Sequence, residues 1–370
     1  NNLARVLSDR GHARGRRLCL DALEMRKEQG TEVPIAYSYN TLALIDNDHS
    51  RPDLAWIEAA IAVAYFRKAE DPRGLGLALL QLSEALRRLA KRKSETYHLR
   101  GDSPEVVLET AERIVNEAVD IFTKSGERLR RVEAWIEKAC LERDLILFNE
   151  GYKQKERHYR DALYYLEQAT DLAREIENLR LELDSCVNIA WTHYHFQKFE
   201  FAEQVLEQAE KLLPEDSWFK EGGAPPPSER DDLHIYYQLS KMYGLRGRMA
   251  LDQFINYRDE VKKAVTDKEK RKERLHQDQK AQHDLQRAAE TYVLALAYAQ
   301  LLSPRSSLLT IIYDACYDRI KDFNLTELED FHTFTEGASR KYGVSQIRLA
   351  DFGNLSEFLS YTFGIQHQGT

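Results

Sequence analysis

Glycine and proline are scarce in this chain of 370 residues, which has 17 glycines and 9 prolines. Both residues disfavour the interior of a helix, and here they lie mostly between apolar segments. Leucine, alanine, glutamate, arginine and lysine dominate the remainder, and these residues lose little conformational freedom in a helix. The composition therefore predicts an all-α protein.

Cysteine is also scarce, with four residues far apart along the chain: Cys19, Cys140, Cys186 and Cys316. Because no two of them form a C-x-x-C pair, the sequence argues against a zinc site and a disulfide framework. We expect the four to be small buried hydrophobic residues of a reducing compartment, which indicates a cytoplasmic protein.

Long hydrophobic runs and a large positive charge are absent too. A helix needs about 20 consecutive apolar residues to span a bilayer, and no segment approaches that length or resembles a signal peptide. The formal net charge of −8 gives no general attraction to phosphate groups or anionic lipid. The sequence therefore predicts no membrane contact, and it disfavours nucleic acid as a partner.

The common catalytic motifs are missing. The chain has no phosphate-binding G-x-x-x-x-G-K-[ST], no G-x-G-x-x-G, no G-x-S-x-G and no H-E-x-x-H. Glu329 and His332 are spaced for one face of a helix, but two ligands are too few to indicate a metal site. The sequence predicts neither an enzyme nor a bound metal or cofactor.

Residues 184–214, DSCVNIAWTHYHFQKFEFAEQVLEQAEKLLP, have the clearest pattern of two packed helices. Small residues are needed where two helix backbones approach, and larger apolar residues flank them. Pro214 would end the second helix because proline cannot donate the next backbone hydrogen bond. The small and apolar positions of the pair are Cys186, Ile189, Ala190, Ala202, Leu206 and Ala209.

This segment resembles the tetratricopeptide repeat. The order of a small residue, an aromatic residue, alanine, a large apolar residue, alanine and proline matches that signature at Ala190, Phe199, Ala202, Leu206, Ala209 and Pro214. Cys186 and His193 depart from it, since the signature prefers tryptophan and tyrosine there. The resemblance implies an α-solenoid of antiparallel helical hairpins with a binding surface.

Degenerate copies of the first helix align on five small residues: Ala43, Ser83, Ala139, Ala190 and Ser240. The steps between them exceed the family's repeat of about 34 residues. The excess lies in charged or proline-rich insertions at 91–104, 149–159 and 215–232. We predict five to six units in residues 1–302. More weakly, the long repeats resemble the tetratricopeptide sensor arrays of signal-transduction ATPases.

The C-terminal third begins with a highly charged stretch. Residues 257–290 predict one long charged helix, either solvated or projecting as an arm that contacts a partner. Residues 303–370 predict a helical cap that covers the last apolar face of the solenoid. Thr326 and Glu329 are spaced for a capping box at the start of one helix of that cap.

The resemblance also implies ligand-contacting positions, because the first helix of each repeat lines the groove in this family. Asn188 stands where peptide-binding members place an asparagine that holds the ligand backbone. Arginines could grip carboxylates or phosphates, or could instead pair with Glu84, Glu137 and Asp144 without any ligand. The candidate groove residues are Asn40, Gln81, Arg87, Arg88, Glu137, Arg143, Asn188, Trp191, Tyr194, His195, Tyr237, Gln238 and Lys241.

Two functions follow as expectations. The first is a recognition module for a protein, a peptide or, less specifically, a small effector, forming the sensor or interaction part of a larger signalling protein. The chain begins at Asn1 inside an amphipathic pattern, from which we expect an effector domain upstream. The alternative is a scaffold that holds a multi-subunit assembly through convex surfaces and the charged arm.

Overall fold

The structure is a computed structural model that describes residues 1–9, 14–91, 103–148, 151–219, 221, 233–302 and 307–344. Within these ranges it contains fifteen α-helices, one 3₁₀ turn and no strand, which confirms the predicted all-α class. The chain divides into two compact units, unit 1 (Asn1–Leu212) and unit 2 (Leu213–Thr370). The repeat array predicted for residues 1–302 therefore extends past the boundary between the units, and its end at residue 302 stays a prediction.

The described part of unit 1 contains ten α-helices. Their bounds are α1 (Asn2–Asp9), α2 (Arg14–Gln29), α3 (Glu32–Asp48), α4 (Pro52–Lys68), α5 (Pro72–Lys91), α6 (Pro104–Ser125), α7 (Arg128–Phe148), α8 (Tyr152–Glu175), α9 (Leu179–His195) and α10 (Phe199–Glu210). Helix α6 begins at Pro104, directly after its N-cap residue Ser103.

Four alternate helices of unit 1 form a row. Each helix packs against the next one along the chain, and α3, α5, α7 and α9 also contact one another in that order. We call these four helices the A-helix row. This arrangement of stacked hairpins is the predicted one. The row contains four of the five predicted first helices, whereas the fifth, which carries Ser240, lies in unit 2.

The small residues on which the repeats align are fully buried. Ala43, Ser83, Ala139 and Ala190 each have 0% exposure, so each lies where neighbouring helices approach most closely. The second helix of the clearest repeat is buried through its predicted alanines and leucine as well, namely Ala202, Leu206 and Ala209. A larger side chain at any of these positions would force the helices apart.

The turns between helices recur with one geometry. Ser50, Glu70, Glu177 and Gln197 are each the second residue after a helix, and their φ values lie between 53° and 60°. In all four turns the next amide donates to the carbonyl five residues earlier, as in Lys198 to His193 at 2.9 Å. This left-handed C-terminal turn reverses the chain in a short space. The repeated use of it explains how hairpins of varied sequence share one architecture.

Unit 2 begins with a 3₁₀ turn (Glu215–Ser217), and its described helices follow. They are α11 (Leu233–Ala264), α12 (Lys268–Gln277), α13 (Gln279–Leu302), α14 (Ser307–Ile320) and α15 (Leu325–Lys341). Helices α11 and α13 pack along each other, with Ser240 donating to the Ala295 carbonyl at 2.6 Å. The ring of Tyr292 lies against Gly247, where a Cβ atom would be 2.7 Å from it.

The charged stretch 257–290 is not the single helix that its sequence predicts. It comprises the end of α11, all of α12 and the start of α13, with breaks at 265–267 and at Asp278. At each break an aspartate caps the next helix: Asp267 accepts from the Lys270 amide, and Asp278 accepts from the Ala281 amide, both at 2.9 Å. Aspartate favours this capping position over a helix interior, which the charge pattern alone does not reveal.

Helices α14 and α15 pack against α13, in the region predicted to form the cap. The predicted capping box occurs two residues earlier than expected. Asn324 accepts from the Glu327 amide and Glu327 accepts from the Asn324 amide, whereas Thr326 lies inside the helix. Asparagine is as good an N-cap as threonine, so the helix begins at the first suitable residue. Residues 345–370 of the predicted cap lie outside the described ranges.

Gly74 provides a test of the packing between α4 and α5. A Cβ atom there would lie 2.2 Å from Cε1 of the fully buried Phe66. We expect Gly74→Ala to lower the free energy of unfolding by about 1–3 kcal/mol, because the ring has no room to move. Gly337→Ala in α15 is the control, since its added methyl group would meet nothing within 4 Å. Thermal denaturation measures both, and equal melting temperatures would contradict the described packing.

Candidate functional site

The A-helix row carries a polar network that begins between α3 and α5. Asn47 donates through Nδ2 to the carbonyl and to Oε1 of Gln81, at 3.0 and 3.1 Å. Arg88 donates to the Asn47 carbonyl at 2.9 Å and pairs with Glu84 one turn earlier. Asn40 lies two turns before Asn47 on the same face of α3, and its buried Oδ1 accepts no hydrogen bond. Both asparagines therefore place their side-chain amides on the same face of α3.

The network continues from α5 to α7 through a buried guanidinium. Arg87 donates to both carboxylate oxygens of Glu137, at 2.9 and 3.0 Å, and to Asp144 at 3.1 Å. Lys91 reaches the other oxygen of Asp144 at 3.1 Å. Since Arg87 is 9% exposed and Asp144 is fully buried, this cluster is closed from water on most sides.

The electrostatics of Asp144 show how the cluster is balanced. Burial by itself would raise the pKa of this carboxyl, but Lys91, Arg143 and Arg87 outweigh burial and hold the pKa well below its ordinary value. Opposite charges within a few ångströms favour the ionised form in this way. The carboxylate therefore stays charged at neutral pH, and three cations depend on it.

The last step of the network joins α7 to α9. Arg143 donates to Oδ1 of Asn188 at 2.8 Å, and Asn188 donates through Nδ2 to the Asp184 carbonyl at 2.8 Å. The thiol of Cys140 also donates to Asn188 Oδ1, at 3.3 Å. Asn188 is 6% exposed and its side chain is hydrogen-bonded within the chain, and its role in holding a ligand backbone stays a prediction.

An aromatic cluster lies on α9 one turn beyond Asn188. Trp191 makes an edge contact with Tyr194 at 5.6 Å between ring centroids, and lies 5.7 Å from the His195 ring. Tyr194 also stacks on Phe199 at 5.8 Å. Tyr194 is buried, while Trp191 and His195 are half-buried. The cluster presents a rigid, partly accessible ring surface next to the polar network.

The predicted groove residues therefore fall into three groups. Most of them meet in the network or beside it: Asn40, Gln81, Arg87, Arg88, Glu137, Arg143 and Asn188. Trp191, Tyr194 and His195 form the aromatic cluster. Tyr237, Gln238 and Lys241 lie on α11 in unit 2, where Gln238 is buried and Lys241 lies 5.3 Å above the Tyr237 ring. The arginines have the acidic partners that the sequence offered as the alternative to a ligand.

A second, partly buried charge cluster was not predicted from the sequence. Arg16 of α2 donates to Asp46 of α3 at 2.9 Å and to Glu58 of α4 at 2.7 Å, and Arg51 pairs with Asp46 at 2.5 Å. Burial and the neighbouring Asp46 raise the pKa of Glu58 to about 8. The partners are 30 to 42 residues apart along the chain, so no local spacing signals their meeting.

His193 lies at a third unpredicted cluster, between α8, α9 and α10. Tyr159 and His193 share a hydrogen bond of 2.9 Å, and Lys198 lies 4.5 Å above the Tyr159 ring. Burial, followed by the charge of Lys198, lowers the pKa of His193 to about 4. The imidazole is therefore neutral and structural at ordinary pH. The ring of His193 packs against the rings of Tyr159 and Phe201.

The described residues show no arrangement of three or more His, Cys, Asp or Glu side chains fit to hold a metal ion. All four cysteines are free; Cys19 and Cys140 are buried, and Cys186 and Cys316 are half-buried. A cleft in unit 2 beside Leu275 and Asp330 has about 10 Å³, room for one water molecule. None of the described helices combines the length and apolar character needed to cross a membrane.

Comparison with known proteins gives a distant match. No family model and no curated protein sequence matches this chain. Among solved structures, the chain is similar to a Rap protein in a crystal structure complexed with competence and sporulation factor. The two are 16% identical with a TM-score of 0.45, and the match covers 92% of this chain and 80% of that chain. A likeness this distant does not indicate what this chain binds.

Proposed function

We propose that unit 1 recognises a peptide or protein segment on the face of its A-helix row, and that the chain binds rather than catalyses. The observation that carries this proposal is the polar network that joins the four helices of the A-helix row beside an aromatic cluster. Buried ion pairs lose hydration, and apolar packing of the same volume often gives equal or greater stability. Stability alone therefore gives a weak reason for such a network.

The network supports binding by holding side chains in fixed positions. Arg143 orients Asn188, and Arg87 holds Glu137, so the row offers a rigid polar edge with few rotamers left to order on association. Preorganisation of this kind lowers the entropic cost of binding. The positive and negative charges of the network nearly cancel. This favours a ligand that binds through its backbone amides and through ring contacts, and disfavours a highly charged ligand.

The aromatic cluster supplies the residue types that anchor interfaces. Tryptophan and tyrosine are enriched among the residues that dominate binding energy. Trp191 lies within ring contact of His195, and both are half-buried, so a ligand side chain could add to this surface at little conformational cost.

We further infer that the hairpins are of the tetratricopeptide type. The buried small residues and the order of Ala190, Phe199, Ala202 and Leu206 support this inference. Roles in signalling, a link to an upstream effector domain and a cytoplasmic location remain proposals that the sequence suggests.

Trp191→Ala tests the binding function. Peptides selected from a random display library on the immobilised chain should bind it in calorimetric titration, and we expect the variant to bind them at least about tenfold more weakly. Tyr164→Ala on α8 is the matched control, because Tyr164 is 58% exposed and its ring contacts Tyr165 of the same helix. A failure to select any peptide, or equal losses in both variants, would count against the proposal.

A further inference from the structure

Helix α12 in unit 2 is unusual in how little it buries. Of its six side chains that the structure describes, Leu275 is buried and the other five are exposed. An isolated helix of this length is marginal in water, because nucleation is costly and few hydrogen bonds repay it. Its sequence, KEKRKERLHQ, offers no second apolar residue that would tie it to the core.

Several polar contacts nevertheless fix this helix. Asp267 caps its first turn, and the Asp278 amide donates to the Arg274 carbonyl at its end. Tyr257 of α11 donates to Asp278, and His276 pairs with Asp330 of α15 at 3.3 Å. These contacts hold α12 in one orientation. Of its described side chains, Leu275 is the one that packs into the core of unit 2. A purely solvated charged run would need none of them.

Helix α12 and its flanking residues carry a net positive charge, opposite in sign to that of the whole chain. Residues 262–280 contain eight lysines and arginines against four aspartates and glutamates, while the whole chain carries −8. Lys270 and Arg274 are exposed and four residues apart, so their side chains emerge one turn apart on the same face. Lys262, Lys263 and Lys280 are further described cations near the two ends.

We infer that α12 is a docking surface for an acidic segment of a partner protein. Carboxylates spaced one helical turn apart on that segment would pair with Lys270 and Arg274. The interspersed Asp267 and Glu273 suit a partner that carries some positive charge of its own. This surface lies in unit 2 and does not depend on the function proposed for the A-helix row.

Other anionic partners fit less well. A nucleic acid strand presents an unbroken line of phosphates, which the carboxylates of α12 and the net charge of −8 oppose. The helix also has no Phe, Tyr or Trp on which bases could stack. A membrane-surface helix needs exposed apolar residues to insert below the headgroups, and the one leucine of α12 is buried.

Charge reversal on the 370-residue chain tests the surface. The probe is a fluorescein-labelled helical peptide of about 20 residues with glutamates four apart, followed by fluorescence anisotropy at low salt. We expect Lys270→Glu/Arg274→Glu to weaken binding at least about tenfold. The matched control, Lys153→Glu/Arg157→Glu, reverses two exposed cations with the same spacing on α8 and should bind as the unaltered chain does.

Two further measurements make the result decisive. Circular dichroism should show cooperative melting of the reversed variant close to that of the control, because Lys270 and Arg274 are exposed and the contact of Arg274 with Tyr257 lies at the surface. A duplex DNA of about 20 base pairs and phosphatidylserine vesicles serve as competing probes. The inference is overturned if the peptide does not bind, if both double variants bind it equally, or if DNA or vesicles bind the chain more tightly than the peptide.

Discussion

Replacing Arg87 with methionine should lower the free energy of unfolding by about 3–5 kcal/mol, the usual cost of leaving buried charges without their partner. Arg87 holds Glu137 through two hydrogen bonds and Asp144 through a third, and the three side chains are at most about one-tenth exposed. Without the guanidinium, Glu137 becomes an unpaired carboxylate next to Glu84 and Asp144, which also carry negative charge.

Equilibrium unfolding in urea, followed by far-ultraviolet circular dichroism, measures this effect. Arg67→Met is the control, because Arg67 pairs with Glu117 at 2.7 Å across the surface with both side chains more than 40% exposed. A surface pair of this kind contributes at most about 1 kcal/mol. Equal losses in the two variants would show that the Arg87 cluster is not buried as described.

A double variant separates the cost of leaving Glu137 unpaired from the net contribution of the Arg87–Glu137 pair to the free energy of unfolding. Arg87→Met combined with Glu137→Met removes both charges together, and Asp144 keeps Lys91 and Arg143 as partners. Since apolar replacement of a buried pair is often close to neutral, the double variant should recover most of the stability that the single variant loses. A double variant less stable than the single one would mean that Glu137 has a further role.

The helical hairpins of unit 1 could be predicted because their signal is local and repeated. Ala43, Ser83, Ala139 and Ala190 recur at intervals with apolar residues around them, and each proved fully buried. Small residues are needed wherever two helices touch, so the pattern survives even where the repeat signature itself is lost. The long insertions displaced the copies along the chain without hiding them.

The breaks within 257–290 could not be predicted from charge alternation. That pattern reports solvent exposure, whereas the helix ends are set by Asp267 and Asp278, each of which caps the helix that follows. An aspartate in a charged run has two readings, a solvated helical residue or an N-cap. The tertiary contact from Tyr257 to Asp278 helps to select the second.

Most residues of the polar network were named from the sequence, but the hydrogen bonds that join them were predicted less well. Arg87, Glu137, Arg143 and Asn188 do share one face, because positions of the first helix of each repeat are equivalent in space. The sequence offered Glu84, Glu137 and Asp144 as partners of the arginines. Which arginine meets which carboxylate depends on side-chain reach between helices, which spacing along the chain does not encode. Asn47 was missed although it lies seven residues after Asn40, which is the spacing of one helix face.

The cluster of Arg16, Asp46, Arg51 and Glu58 should make the stability of the chain depend on pH. Burial and Asp46 raise the pKa of Glu58 from its ordinary 4.5 to about 8. The folded chain therefore holds this proton more tightly than the unfolded chain does. The resulting stabilisation is fully present below pH 4.5 and is lost as the pH rises towards 8, by at most about 1.4 kcal/mol per pH unit.

Glu58→Gln should remove this dependence, because glutamine stays neutral and can still accept from Arg16 and donate to Asp46. Near pH 5 the variant and the unaltered chain should melt within a few degrees of each other. By pH 8 we expect the variant to melt roughly 5 °C or more above the unaltered chain, and the difference should level off at higher pH.

Melting temperatures in matched buffers between pH 5 and 9 measure the difference. Glu207→Gln, an exposed change on α10, is the control and should differ from the unaltered chain by a constant amount. His49 hydrogen-bonds Ser8 near the cluster, and this contact is common to all three proteins. Parallel curves for Glu58→Gln and the unaltered chain would mean that Arg16 and Arg51 keep Glu58 ionised, and that the cluster is an ordinary pair of salt bridges.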